Sequence, residues 1–118
     1  MCCFISGSMS LVSNTTVTEV FLNHSTYLNC STSLLSKDLS WFHYPLGSET
    51  LKAKSVYAYG IIYDAYRDDF RVDIDISNDS KSYNLLILSA KSKYAGIYQC
   101  QEEDDTISMQ LIVLGKSY

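Results

Sequence analysis

Basic residues are scarce in this chain: nine Lys and Arg stand against thirteen Asp and Glu, for a formal charge of -4. Without a basic stripe to neutralise phosphates, a nucleic-acid partner is excluded. Long apolar runs are missing as well. The longest, around residues 111–114, is four to five residues, against the roughly 18 a spanning helix requires, so any membrane anchor is expected outside this sequence. No CxxC or HxxxH spacing occurs, and His24 and His43 lie far apart, so neither a metal nor another cofactor is expected. A G-x-S-x-G nucleophile turn and a Gly-rich phosphate loop are also absent, which argues against an enzyme and against a small-molecule substrate. The acidic run Glu102, Glu103, Asp104 and Asp105 reads as a solvated hairpin tip rather than a calcium site.

Aromatic residues, by contrast, are plentiful. Ten Tyr, four Phe and one Trp in 118 residues, with 47% hydrophobic content, argue against disorder and for one soluble domain with its own core. Residues 1–10 are expected to be a tail or the remnant of a signal segment. The first basic residue is Lys37, so the positive region that opens a secretory signal is missing. The folded domain is expected over residues 11–115, with a C-terminal tail at 116–118.

Cys2 and Cys3 are adjacent and cannot bridge each other without strain. Cys30 and Cys100 are the informative pair. N-x-S/T glycosylation motifs begin at Asn14, Asn23, Asn29 and Asn78, four of the five Asn in the chain. That enrichment points to an extracellular or lumenal glycoprotein, where a Cys30–Cys100 disulfide persists.

The hydrophobic pattern has the two-residue period of strands. Strands are expected at 17–22, 26–30, 39–44, 70–76, 83–88, 96–101 and 107–114, with turns at 23–25, 31–37, 45–49, 77–81 and 102–105. Alternation puts Thr26, Leu28 and Cys30 on one face and Tyr27 and Asn29 on the other. Leu39 and Trp41 point inward, leaving Ser40, Phe42 and Tyr44 outside. Tyr83, Leu85 and Ile87 form another inward row, as do Tyr98 and Cys100. Bringing Cys30, Trp41 and Cys100 together makes a core with a ring packed on a disulfide, and closing that loop of about 70 residues contributes about 4 kcal/mol. His43 is expected at the edge of this core and His24 in a solvated turn.

With Leu-x-Cys at 28–30, Trp41 eleven residues after Cys30, and Ala-Gly-Ile-Tyr-Gln-Cys at 95–100, the chain resembles the immunoglobulin superfamily, in particular its variable-type (V-set) domain. The resemblance spans about residues 11–114. It implies an all-β, antiparallel Greek-key sandwich with an inter-sheet Cys30–Cys100 disulfide, a core around Trp41, Tyr98, Leu85 and Ile87, and a tyrosine corner at Tyr98. Two departures stand out. The family's Asp six residues before the second Cys is Tyr94 here, so its usual partner, placed at Arg71, is expected to stack on Tyr94 or to pair with a local carboxylate. The last strand also lacks the F-G-x-G bulge of rearranged antigen receptors.

The resemblance implies protein binding at a cell surface, in adhesion or as an immune-type receptor or ligand, through the sheet of strands G, F, C, C′ and C″. On that sheet the register places Phe42, Tyr44, Gln99 and Gln101 outward. The segment 56–66 adds a Tyr cluster, with Tyr57, Tyr59 and Tyr63 as binding residues, because Tyr offers a large contact area for little side-chain entropy. The partner is expected to be a protein on another cell or a second copy of the chain. A secreted or virus-encoded decoy and a purely structural module are the alternatives. Leu86 and Leu88 are expected on the outside of the opposite sheet, where a covering segment or a partner would shield them.

Overall fold

A computed structural model describes residues 15–33, 39–47, 52–76, 80–102 and 105–115. Both tails, Cys2, Cys3, Asn14, Asn78, Glu103 and Asp104 lie outside the described residues. Among the described residues ten strands are formed: β1 (Thr16–Phe21), β2 (Thr26–Leu28), β3 (Ser31–Ser33), β4 (Leu39–Pro45), β5 (Lys54–Ala58), β6 (Ile61–Ile62), β7 (Phe70–Ile76), β8 (Ser80–Ile87), β9 (Gly96–Glu102) and β10 (Asp105–Leu114). Short 3-10 turns cover Asp64–Tyr66 and Ser92–Tyr94.

The strands make two sheets of a sandwich. The front sheet runs β1-β10-β9-β4-β5-β6, and the back sheet pairs β8 with β2 and β3 on one side and β7 on the other. One pairing departs from the antiparallel expectation, since β1 runs parallel to β10. The expected strand at 26–30 and turn at 31–37 are also redrawn: Ser31–Ser33 is a strand that carries on the β2 register along β8, Thr26 opposite Ile87 and Ser31 opposite Ser82.

Alternation decides what is buried. On β4, Leu39, Trp41 and His43 are buried, while Ser40, Phe42 and Tyr44 between them are half-buried. On β8 the inward row is Tyr83, Leu85 and Ile87, and on β9 it is Tyr98 and Cys100. The Cys30–Cys100 disulfide joins the sheets with its Cα atoms 6.5 Å apart. Trp41 pairs with Cys100 in the β4–β9 register, and its Nε1–H donates to the Tyr83 carbonyl across the core at 3.1 Å. That bond satisfies the one polar atom of a ring that is otherwise fully removed from water.

Tyr57 breaks the alternation. The β4–β5 pairing shifts register between Trp41 and Phe42, so Trp41 faces Tyr57 while Phe42 faces Ser55. Val56 is the extra residue of a β-bulge, and Val56, Tyr57 and Ala58 are all buried. Leu86 is half-buried on the outside of the back sheet, opposite Tyr27 and Arg71, and Leu88 beyond the strand end is exposed.

Candidate recognition surface

Beneath the front sheet a polar network fixes the shape of β4. His43 is fully buried and stacks on Tyr98 with ring centroids 4.2 Å apart. Its Nε2–H donates to the Ala95 carbonyl at 3.0 Å, which leaves Nδ1 to accept the Tyr66 hydroxyl proton at 2.7 Å. Because the Ala95 carbonyl can only accept, this tautomer is fixed. Burial holds the imidazole at a pKa of about 4, with Lys54 adding to the effect and the Ala95 bond opposing it. Burial likewise pushes the Tyr66 hydroxyl up to about 12, so both members of the pair are neutral at pH 7.

Gly96 makes the Ala95 approach possible. Its φ is +135°, and a Cβ there would sit 2.2 Å from the Tyr44 carbonyl oxygen, so only glycine fits. The neighbouring Tyr98 hydroxyl donates to the Tyr94 carbonyl at 2.6 Å, forming the expected tyrosine corner.

The edge pairing placed at Arg71 is formed elsewhere. Arg71 is exposed on β7, and the cation over the Tyr94 ring is Lys93, at 5.3 Å from the centroid. The Tyr94 hydroxyl donates to Asp69, one residue before Phe70, and Lys91 bridges the same carboxylate at 3.0 Å. Hydrogen bonds from Tyr94 and Lys91 hold Asp69 below the usual carboxylate range. Where the family places an acid before the second Cys, this chain has a Tyr, and the acid stands on the other side of the contact.

Phe42 and Gln99 face each other on adjacent strands, Tyr44 lies beside Ile97, and Gln101 beside Ser40. Gln99 Nε2 donates to Ser108 Oγ on β10 at 3.2 Å. The outward positions therefore read Ser40, Phe42 and Tyr44 on β4; Ile97, Gln99 and Gln101 on β9; and Thr106, Ser108, Gln110 and Ile112 on β10. None of these ten is charged, in a chain with 22 charged residues. The β10 positions and Ile97 were not among the candidates read from the sequence, because a strand of small polar and aliphatic residues carries no local signal of function.

The Tyr cluster splits. Tyr57 belongs to the core, at 7% exposure, and drops out of the surface; Tyr66 is also buried. Tyr59 is 81% exposed and Tyr63 44%. Tyr59 and Gly60 form the two-residue connection between β5 and β6, with φ of +52° and +79° and Ala58 paired to Ile61. Positive φ at both central residues is the mark of a tight hairpin that favours Asn-Gly. A bulky Tyr at the first position is costly, yet its ring is spread into solvent beside exposed Ile61.

Among the described residues, no group of three or more His, Cys, Asp or Glu is placed to hold a metal ion, and no helix is long and apolar enough to cross a membrane.

No protein-family model and no curated protein matches the sequence. Solved structures do match its fold. The second immunoglobulin domain of the mouse polymeric immunoglobulin receptor superposes with a TM-score of 0.70 at 15% identity, covering 87% of this chain and 99% of that one. A structure from photo-crosslinking analyses of multimeric cell-adhesive interactions of VGSC beta subunits matches with a TM-score of 0.70 at 15% identity, covering 87% and 94%. Two packed sheets, an inter-sheet disulfide beside a buried Trp, a tyrosine corner and these superpositions together make the fold an immunoglobulin domain.

Proposed function

We propose that this is an extracellular V-set recognition domain that associates with a second copy of itself through its front sheet. In the family's lettering β10, β9, β4, β5 and β6 correspond to strands G, F, C, C′ and C″. The observation that carries the reading is the charge-free outward face of β10, β9 and β4 on an acidic protein. Interface centres are depleted of charge and enriched in aromatic residues, and β4 supplies Phe42 and Tyr44 to this face. A face without charge meets its own copy across a two-fold axis with no like-charge penalty, whereas the rest of an acidic surface repels itself.

Tyr59, Ile61 and Tyr63 at the β5–β6 edge supply the exposed apolar rim. A strained residue retained on a surface points to use rather than to stability, and Tyr59 is such a residue. A structural neighbour obtained in a study of multimeric cell-adhesive interactions supports adhesion as the setting. The test is sedimentation velocity over a concentration series of the secreted domain beside a Phe42→Arg, Tyr44→Arg double variant. Dimerisation that rises with concentration and is lost in the folded variant is expected; a monomer throughout contradicts the reading.

A further inference from the structure

Two exposed aromatic rings stand outside the core, Phe21 on β1 at the edge of the front sheet and Tyr27 on the back sheet, and each lies two residues before the Asn of an N-glycosylation motif. The segments are Phe21-Leu22-Asn23-His24-Ser25 and Tyr27-Leu28-Asn29-Cys30-Ser31, the same aromatic-Leu-Asn-x-Ser pattern repeated after six residues. In each, the intervening Leu turns inward, half-buried at Leu22 and fully at Leu28, while ring and Asn stay exposed. Tyr27 is 60% exposed and Phe21 39%.

We propose that Asn23 and Asn29 carry N-linked glycans whose first sugar is seated on the ring two residues upstream, Phe21 for Asn23 and Tyr27 for Asn29. The proposal rests on the extracellular reading. At Asn29 the geometry is that of a strand: positions 27 and 29 project to the same side about 7 Å apart, roughly the breadth of one sugar ring. Tyr27 pairs with Leu86 on β8, so a sugar on that ring also covers the apolar side chain next to it. At Asn23 the geometry is that of a turn. The His24 N–H donates to the Phe21 carbonyl at 3.0 Å, Asn23 takes the left-handed conformation at φ +69°, and the His24 ring meets Phe21 edge-on with centroids 6.0 Å apart. One side of an N-acetylglucosamine ring presents C–H bonds, which suit an aromatic face as other polarised C–H edges do. The Asn side-chain nitrogen gives up one of its two protons and bonds to the sugar's anomeric carbon, while the C–O bond to the carrier lipid pyrophosphate breaks and the pyrophosphate leaves with the electron pair, in the secretory lumen.

The reaction at Asn29 has to precede folding, because Cys30 inside its motif is locked to Cys100 in the finished domain. Neither Asn lies on β4, β9 or β10: Asn29 stands between β2 and β3 of the back sheet, and Phe21 beside Leu114 puts the Asn23 sugar at the β1 edge of the front sheet.

The test uses the full chain behind a heterologous secretory leader in animal cells. Peptide mapping before and after enzymatic deglycosylation reads site occupancy, and thermal melts are run on the four corners of a Tyr27→Ala, Asn29→Gln cycle. Occupancy at both sites is expected. So is a fall in the melting midpoint of roughly 2–6 °C when the Asn29 glycan is removed beside Tyr27, shrinking to near zero in the Tyr27→Ala background. Tyr27→Phe, which keeps the ring, retains the effect. An unoccupied Asn23 or Asn29 in secreted, disulfide-bonded protein overturns the proposal, as does a glycan effect of equal size with and without the Tyr27 ring. A chain that stays inside the cell without its disulfide contradicts the extracellular reading instead. The Phe21→Ala, Ser25→Ala cycle, which removes the Asn23 motif while keeping Asn in its left-handed conformation, is read the same way.

Discussion

At the scale of single residues, Gly96 and Tyr59 illustrate opposite uses of an unusual backbone. Gly96 at φ +135° lets β9 pass so close to β4 that any side chain collides with the Tyr44 carbonyl and the Leu46 amide. Gly96→Ala is expected to cost at least about 3 kcal/mol in denaturant melts, since the clash is with backbone that cannot rotate away. Tyr59 sits at positive φ in a hairpin that favours Asn, so Tyr59→Asn is expected to raise stability by about 1 kcal/mol while weakening self-association. A variant that gains stability and keeps full association would remove Tyr59 from the interface. His43 gives the pH dependence. Its folded pKa of about 4 lies below the ordinary 6.5, so between those values the unfolded chain takes up a proton that the folded one refuses. Stability therefore falls as pH drops from 6.5 to 4 and this contribution levels off below, a loss on the order of 3 kcal/mol. Asp69, held below the usual range by Tyr94 and Lys91, acts in the same direction at lower pH. A His43→Gln variant whose melts keep the full slope between pH 6.5 and 4 would show that another group is responsible.

At the scale of elements, what was legible in the sequence is what a period of two can encode. The inward rows Leu39–Trp41, Tyr83–Leu85–Ile87 and Tyr98–Cys100 could be read directly, because a sheet with one buried face allows only one register. The bulge at Val56 was not legible. A bulge inserts a residue without changing composition, so Tyr57 looks like a surface Tyr until the β4–β5 pairing is known. Nor was the parallel β1–β10 pairing legible, since it depends on which sheet the first strand joins. The Asp69–Tyr94 contact was hidden for another reason: the resemblance supplied a partner for Tyr94 at Arg71, two residues on from Asp69, which lies in the turn before β7. The tyrosine corner ties the β9 entry to the turn before it, and Tyr98→Phe is expected to cost about 1–2 kcal/mol in urea melts by leaving the Tyr94 carbonyl without its donor. An unchanged midpoint would mean that water replaces the bond.

At the scale of the whole molecule, the fold was legible and the function only partly so. Cys30 and Trp41 lie far in the chain from Tyr98 and Cys100, yet the two pairs meet across the core, a coincidence strong enough to specify an immunoglobulin sandwich. The proposed recognition face has no comparable marker. Its character is an absence of charge spread over three strands, which appears only when β10, β9 and β4 are laid side by side. Pairing of this face with its own copy is the central proposal. It is tested most directly by sedimentation velocity of the glycosylated domain across a concentration series, beside the Phe42→Arg, Tyr44→Arg variant with its melting midpoint measured in parallel. A sedimentation coefficient that rises with concentration for the native sequence and stays at the monomer value for a variant that remains folded is expected. A native protein that is monomeric at every concentration, or a dimer that survives both arginines, would contradict it.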